Sequence, residues 1–228
     1  MGLIHSKMDK ALTAAAPTKV VLFDVDGVIY RNRPMLLAVK RKIARYVKTR
    51  IEKSQKTYLS YSDAERISDN LYVKYGHTLR GMWQIYGCER EFPIEDFNEY
   101  VYDDDMINML TAQLAGSELN EDLKQYVRLC KHNHDDVKFG IFSNAPTSWC
   151  RPIVSHYGLE INPFMMYTSS HSLFGQRFKP DASLYEDIAT TIAMDHELPI
   201  RFIDDSEVNI AAVAGKPEWA PVKFAADW

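Results

Sequence analysis

Hydrophobic and polar positions follow one rhythm at the start and in the second half of the chain, and another in between. Val20 to Phe23 is an uninterrupted apolar run, the pattern of a strand buried on both faces of a parallel sheet. Short apolar runs bounded by polar clusters return at 137–142, 164–167 and 200–203, so four strands are expected. Helical patterns separate the later ones. Leu123, Tyr126, Val127 and Cys130 mark the first, Pro146 opens a second that ends near Tyr157-Gly158, and a third follows Lys179-Pro180 through Leu184, Ile188 and Ile192. Strands alternating with helices predict an α/β core with a Rossmann-like parallel sheet.

Between the first two strands the period is helical throughout. Pro34 suits a first turn, and Val39, Ile43, Val47 and Ile51 recur every four residues beside Leu36 and Leu37. Ser62-Asp63-Ala64-Glu65 reads as a capping box, with Ser62 as cap, for a helix that Gly76 ends. Another piece runs from Leu79 to Gly87, and Pro93 opens one carrying Ile94, Phe97 and Val101. Residues 31–116 are therefore expected to form an all-helical insert. The core is expected to be assembled from 17–30 and 117–228, after a loosely ordered lead-in over 1–16.

Composition narrows the class. With 228 residues, 46% hydrophobic and 12% aromatic, the chain can bury a sizeable core. A formal net charge of -4 carries no basic footprint for nucleic acid, so none is expected as a partner. Cys88, Cys130 and Cys150 show no CxxC spacing and read as packing residues of a reducing compartment. No apolar run reaches membrane-spanning length and no signal-peptide region is evident, so a cytoplasmic location without stable membrane insertion is expected. Met1-Gly2-Leu3-Ile4-His5-Ser6 fits the myristoylation pattern at Gly2, which alone gives weak, reversible membrane binding. The basic face of the first insert helix, Lys40, Arg41, Lys42, Arg45, Lys48, Arg50 and Lys53, reads as solvated. Asp103 to Asp105 read as a helix start, and His132 and His134 as solvent-facing.

Chemistry gathers at the strand ends. Asp24 and Asp26 follow the first strand, with Gly27 at the turn; Ser143 and Asn144 follow the second; Lys179 precedes a helix; Asp204 and Asp205 follow the last run. Parallel strands joined by right-handed crossovers bring these clusters to one sheet edge. Carboxylates meeting there repel unless a cation intervenes, and an all-oxygen set suits Mg2+. A lysine and a hydroxyl beside that metal describe a phosphate site. A carboxylate can attack phosphorus to form an aspartyl-phosphate, and the other of the first pair can move protons, while Ser143 and the backbone after it hold phosphoryl oxygens.

In order, DVDGV, FSNAP, the lysine of RFKP, and IDDSE resemble the four motifs of the haloacid dehalogenase superfamily. The resemblance implies that Asp24 is the nucleophile and Asp26 the acid/base, its main-chain carbonyl also on magnesium. It implies that Ser143 and Lys179 bind phosphate, with Asn144 beside them, that Asp205 ligates the metal directly, and that Asp204 acts directly or through water. The insert sits where the family's first, helical cap type sits. Within it, Tyr75-Gly76-His77-Thr78-Leu79-Arg80-Gly81 and Tyr102-Asp103-Asp104 resemble segments of pyrimidine 5'-nucleotidase-like members, although DVDGV, Met82 and Asp105 depart from their pattern. That resemblance implies a magnesium-dependent phosphomonoesterase for a nucleoside 5'-monophosphate, with Tyr75 and Arg80 as cap residues able to meet the leaving group. Asp26 argues against dehalogenation. A phosphomutase for a small phosphometabolite such as a sugar phosphate shares the first half-reaction, and a non-catalytic binding protein on the same scaffold is the bland alternative.

Overall fold

The computed structural model describes residues 18–87 and 92–224. Gly2, the lead-in expected over 1–16, Pro17 and Cys88 lie outside the described residues. Five strands, β1 (Val20–Phe23), β2 (Lys138–Phe142), β3 (Ile161–Tyr167), β4 (Ile200–Asp204) and β5 (Trp219–Lys223), form one parallel sheet in the order β3-β2-β1-β4-β5. Val20 lies opposite Lys138 on one side and Ile200 on the other. Every residue of β1 is fully buried, and its alternating side chains feed two cores: Val21 and Phe23 the larger one, shared with the insert, and Val20 and Leu22 a second on the opposite face. Burial on both faces is why this strand carries no polar alternation.

The fourth expected strand is followed by one the pattern missed. β5 contains Pro221, which reads as a break because proline cannot donate to the ladder, but β5 is an edge strand and tolerates it. On the other edge, β3 begins at Ile161, three residues before the apolar run, and runs through Pro163.

The insert is helical as expected. It comprises α1 (Arg33–Gln55), α2 (Tyr61–Tyr75), α3 (Thr78–Tyr86), α4 (Ile94–Val101) and α5 (Asp104–Leu114). Asn32 caps α1 by accepting from the Met35 N–H at 3.0 Å. The cap of α2 is Ser60 rather than Ser62: its hydroxyl accepts from the Asp63 N–H at 3.1 Å, so the helix starts two residues earlier than expected. Gly76 and Gly87 end their helices in the left-handed region, and Asp103 caps α5. The basic face of α1 is less solvated than expected. Lys42 pairs with Asp103, Lys48 with Glu52, and Arg50 with Asp96 at 2.5 Å. After the insert come α6 (Glu121–Asn133), α7 (Thr147–His156), α8 (Ala182–Ala193) and α9 (Glu207–Val213), of which α9 was not expected.

The insert is tied at its ends and packed on the core in its middle. At its ends the Asn32 amide donates to Gln113 Oε1 at 3.3 Å. In its middle, His77 stacks on Phe178 with ring centroids 3.6 Å apart, and Gly76 lies so close to Pro180 that a Cβ there would come within 2.4 Å of Pro180 Cδ. Among the described residues no helix is long and apolar enough to cross a membrane.

Candidate active site

β2 and β4 flank β1 on opposite sides, so the strand order reverses there and a crevice opens at the carboxyl ends of β1 and β4. Pairing extends one residue past β1, the Asp24 N–H donating to Ile203 O at 2.8 Å. Asp24, Asp204 and Asp205 each offer a carboxylate oxygen within 4.8 Å of the others. Lys179 reaches them from the loop before α8. Its ammonium donates to Phe142 O at 2.8 Å and Asp204 Oδ2 at 2.6 Å, and lies 3.0 Å from Asp24 Oδ1. Burial works against this charge, but the two carboxylates, Asp204 foremost, outweigh it and hold the ammonium above its ordinary range.

Each aspartate has a different environment. Asp204 is fully buried and accepts from Lys179, from the Ser206 N–H at 2.7 Å and from the Asn209 amide at 3.0 and 3.2 Å, so its oxygens are engaged within the protein. Asp24 is raised well above the carboxylate range by burial, which Lys179 only partly offsets. Burial and then Asp204 push Asp205 up to about 6. Gly27 makes room for Asp205: its φ is +86°, and a Cβ would fall 2.1 Å from Asp205 Oδ2.

Asp26 stands apart from that trio. Its Oδ1 accepts from the Trp149 indole at 3.0 Å, and burial, against the pull of that hydrogen bond, lifts it to about 6. Its carboxylate is therefore held on Trp149, outside the cluster of carboxylates that could hold a metal. Ser143 is buried, its hydroxyl accepting from the Ala145 N–H at 3.2 Å. Asn144, expected at the phosphate, lines the crevice and turns its side chain onto the Lys179 main chain. It accepts from the Lys179 N–H at 2.8 Å and donates to Lys179 O at 3.1 Å, fixing the loop that delivers the lysine.

The family model for haloacid dehalogenase-like hydrolases matches residues 18–215. The chain belongs to that family. Two solved structures show the fold of this haloacid dehalogenase-like hydrolase, each at 16% identity. They are a family IA, variant 3 hydrolase from Entamoeba histolytica (TM-score 0.55, covering 92% of this chain and 85% of that one) and a β-phosphoglucomutase from Clostridium difficile (TM-score 0.50, 90% and 84%). No curated protein matches the chain by sequence.

In this hydrolase the insert closes over the crevice, leaving a cavity of about 370 Å³. Leu36, Val39 and Ile43 of α1 form one wall. Tyr72, His77 and Thr78 line it from the α2–α3 turn, and Tyr102 from the segment before α5. The two cap residues expected at the leaving group do not line it. Arg80 lies 3.6 Å from Asp181, and Tyr75 packs against Gly81 and under the Lys74 ammonium. Sequence reasoning also missed Trp149 and Asn209; the only local signals are an aromatic in the helix after FSNAP and an asparagine five residues after Asp204.

The donor set fits a hard divalent cation. Three carboxylates, Asp24, Asp204 and Asp205, cluster beside one buried ammonium, with Arg31 acting on Asp205 from farther away, and the available oxygens suit Mg2+. A linkage prediction follows for the metal-free protein. Asp26 and Asp205 have folded-state values of about 6, above the roughly 3.9 of an unfolded aspartate. The folded state binds more protons in that window, so stability falls as pH rises from about 4 to 6. Melting in EDTA is expected to show this fall, and millimolar MgCl2 at neutral pH to raise Tm by about 2–4 °C, the shift that roughly 1 kcal/mol gives a domain of this size. Asp205→Asn should remove most of the magnesium effect; a Tm indifferent to magnesium contradicts the assignment.

Proposed function

We propose that this hydrolase is a magnesium-dependent phosphomonoesterase acting through an aspartyl-phosphate on Asp24, with a nucleoside 5'-monophosphate as the favoured substrate. The observation that carries the reading is the pairing of unlike carboxylates at one strand end: Asp24 beside the Lys179 ammonium at 3.0 Å, and Asp26 held off on the Trp149 indole. Environments that differentiate two carboxylates assign nucleophile and proton carrier.

A carboxylate oxygen of Asp24 attacks phosphorus while the ester P–O bond breaks, and protonated Asp26 gives its proton to the departing oxygen. Asp26, now ionised, takes a proton from water as that water attacks the phosphorus and Asp24 leaves. Lys179 and Ser143 hold phosphoryl oxygens, and Asp204 and Asn144 hold Lys179. Asp24 and Asp205, with Asp204 behind them, would hold magnesium, which when bound would supply positive charge to offset that of the phosphoryl group. The insert acts as a cap that keeps bulk water from the acyl phosphate. The aliphatic and tyrosine wall of the cavity supports a leaving group with an apolar face.

Purified protein with MgCl2 should release inorganic phosphate from uridine 5'-monophosphate and from p-nitrophenyl phosphate, and EDTA should stop both. Asp26→Asn is expected to slow the nucleotide by about 10²–10⁴, the usual worth of general acid–base catalysis, and the activated aryl ester far less. No release from any ester would overturn the reading. Equal slowing of both substrates would take the proton-transfer role from Asp26.

A further inference from the structure

Resting on the phosphomonoesterase reading, we propose that His77 is the specificity-determining residue of this site, its imidazole edge reading an uncharged, hydrogen-bonding leaving group. His77 lies at the turn from α2 into α3 and lines the catalytic cavity. One face of its ring is stacked on Phe178, the residue before Lys179, at 3.6 Å and 10°, and Phe97 packs against it at 5.2 Å. The ring is thereby fixed beside the lysine that holds phosphate.

One of its ring nitrogens has no partner within the protein. His77 is 8% exposed, and Nδ1 is buried without a hydrogen-bond partner. Leaving such a group unpaired is costly, and most buried polar groups avoid it. A hydroxyl or amide on a leaving group that closes against the ring would meet it, directly or through one water. Burial, aided by Arg80, pushes the imidazole down to about 3, so at working pH it offers one donor, one acceptor and no charge.

The neighbouring wall is neutral too. Leu36, Val39 and Ile43 are apolar, and burial keeps the Tyr102 hydroxyl protonated. Lys40 and Asp69, the charged cap residues in the lining, are exposed and lie 3.8 Å from each other. A leaving group bearing a carboxylate would be desolvated there against aliphatic and neutral polar groups. An uncharged alcohol with hydroxyl or amide groups gains the hydrogen bond without that cost.

The test uses His77→Phe, which keeps an aromatic ring to stack on Phe178 and removes the nitrogens, and His77→Asn, which restores a polar group near Nδ1. Phosphate release is followed from uridine 5'-monophosphate, ribose 5-phosphate, phenyl phosphate and 2-phosphoglycolate. Wild-type kcat/KM for the better of the first two should exceed that for 2-phosphoglycolate at least about tenfold. His77→Phe should lower kcat/KM for that better substrate by about 10–100-fold, at least tenfold more than for phenyl phosphate, and His77→Asn should recover part of the loss. Equal losses on both esters, no loss on either, or a wild-type preference for 2-phosphoglycolate overturns the proposal. A wild type inert toward every ester would instead overturn the phosphatase reading beneath it.

Discussion

Asp24→Asn is expected to give a folded protein whose phosphate release is lower by about 10⁴-fold or more, the scale on which nucleophile removal acts in other covalent enzymes. The amide has nearly the shape of the carboxylate but cannot form the aspartyl-phosphate, so Asp26, Lys179 and the metal carboxylates would have no covalent intermediate to resolve. Stability should not fall. The Asp24 charge is disfavoured by burial, and Lys179 keeps its contacts to Asp204 at 2.6 Å and Phe142 O at 2.8 Å when Asp24 becomes neutral. Steady-state phosphate release and a thermal melt on the same sample check both halves. Retained activity would remove the covalent mechanism, whereas lost activity with a lowered Tm would mean that the variant reports on folding.

Lys179→Met should fail on both counts. The ammonium is 1% exposed and sits between Asp24 and Asp204. Removing it leaves buried carboxylates uncompensated, a class of change that costs about 3–5 kcal/mol. At roughly 2–4 °C per kcal/mol, Tm should drop by about 10 °C, and phosphate release should vanish with it. Adding Asp204→Asn should recover part of the Tm and none of the activity. An unchanged Tm in the single variant would show that the carboxylates simply take up protons, and would remove the charge balance as a source of stability.

The chemistry of the site was legible because it is written at strand ends, where chain direction alone decides placement. Asp24, Lys179, Asp204 and Asp205 converge as four apolar runs and right-handed crossovers require. What surrounds those residues was not legible. Of the motif-like stretch from Tyr75 to Gly81, the cavity is lined by Gly76, His77 and Thr78 rather than by Tyr75 and Arg80, because the side of α2 and its turn that faces inward depends on how five helices pack. That the Asn144 side chain pairs with a main chain 35 residues away could not be read from its place after Ser143. Trp149 and Asn209 act on aspartates through bonds that no local pattern announces. The shift of the α2 cap from Ser62 to Ser60 is a smaller case of the same kind, since either serine satisfies the local rule and packing chooses.

The interruption between β1 and β2 also sets an order of assembly. β1 is made first and occupies the centre of the sheet, but its partners β2 and β4 are synthesised only after the whole insert, so it cannot pair until late. Such non-local pairing is slow, and an exposed apolar strand is open to aggregation while it waits. The Asn32–Gln113 contact draws the ends of the insert together. An insert that collapses early therefore shortens the effective loop that must close and lowers its entropic cost. On this view the helices between the strands serve the newborn chain as a splint before they serve the finished enzyme.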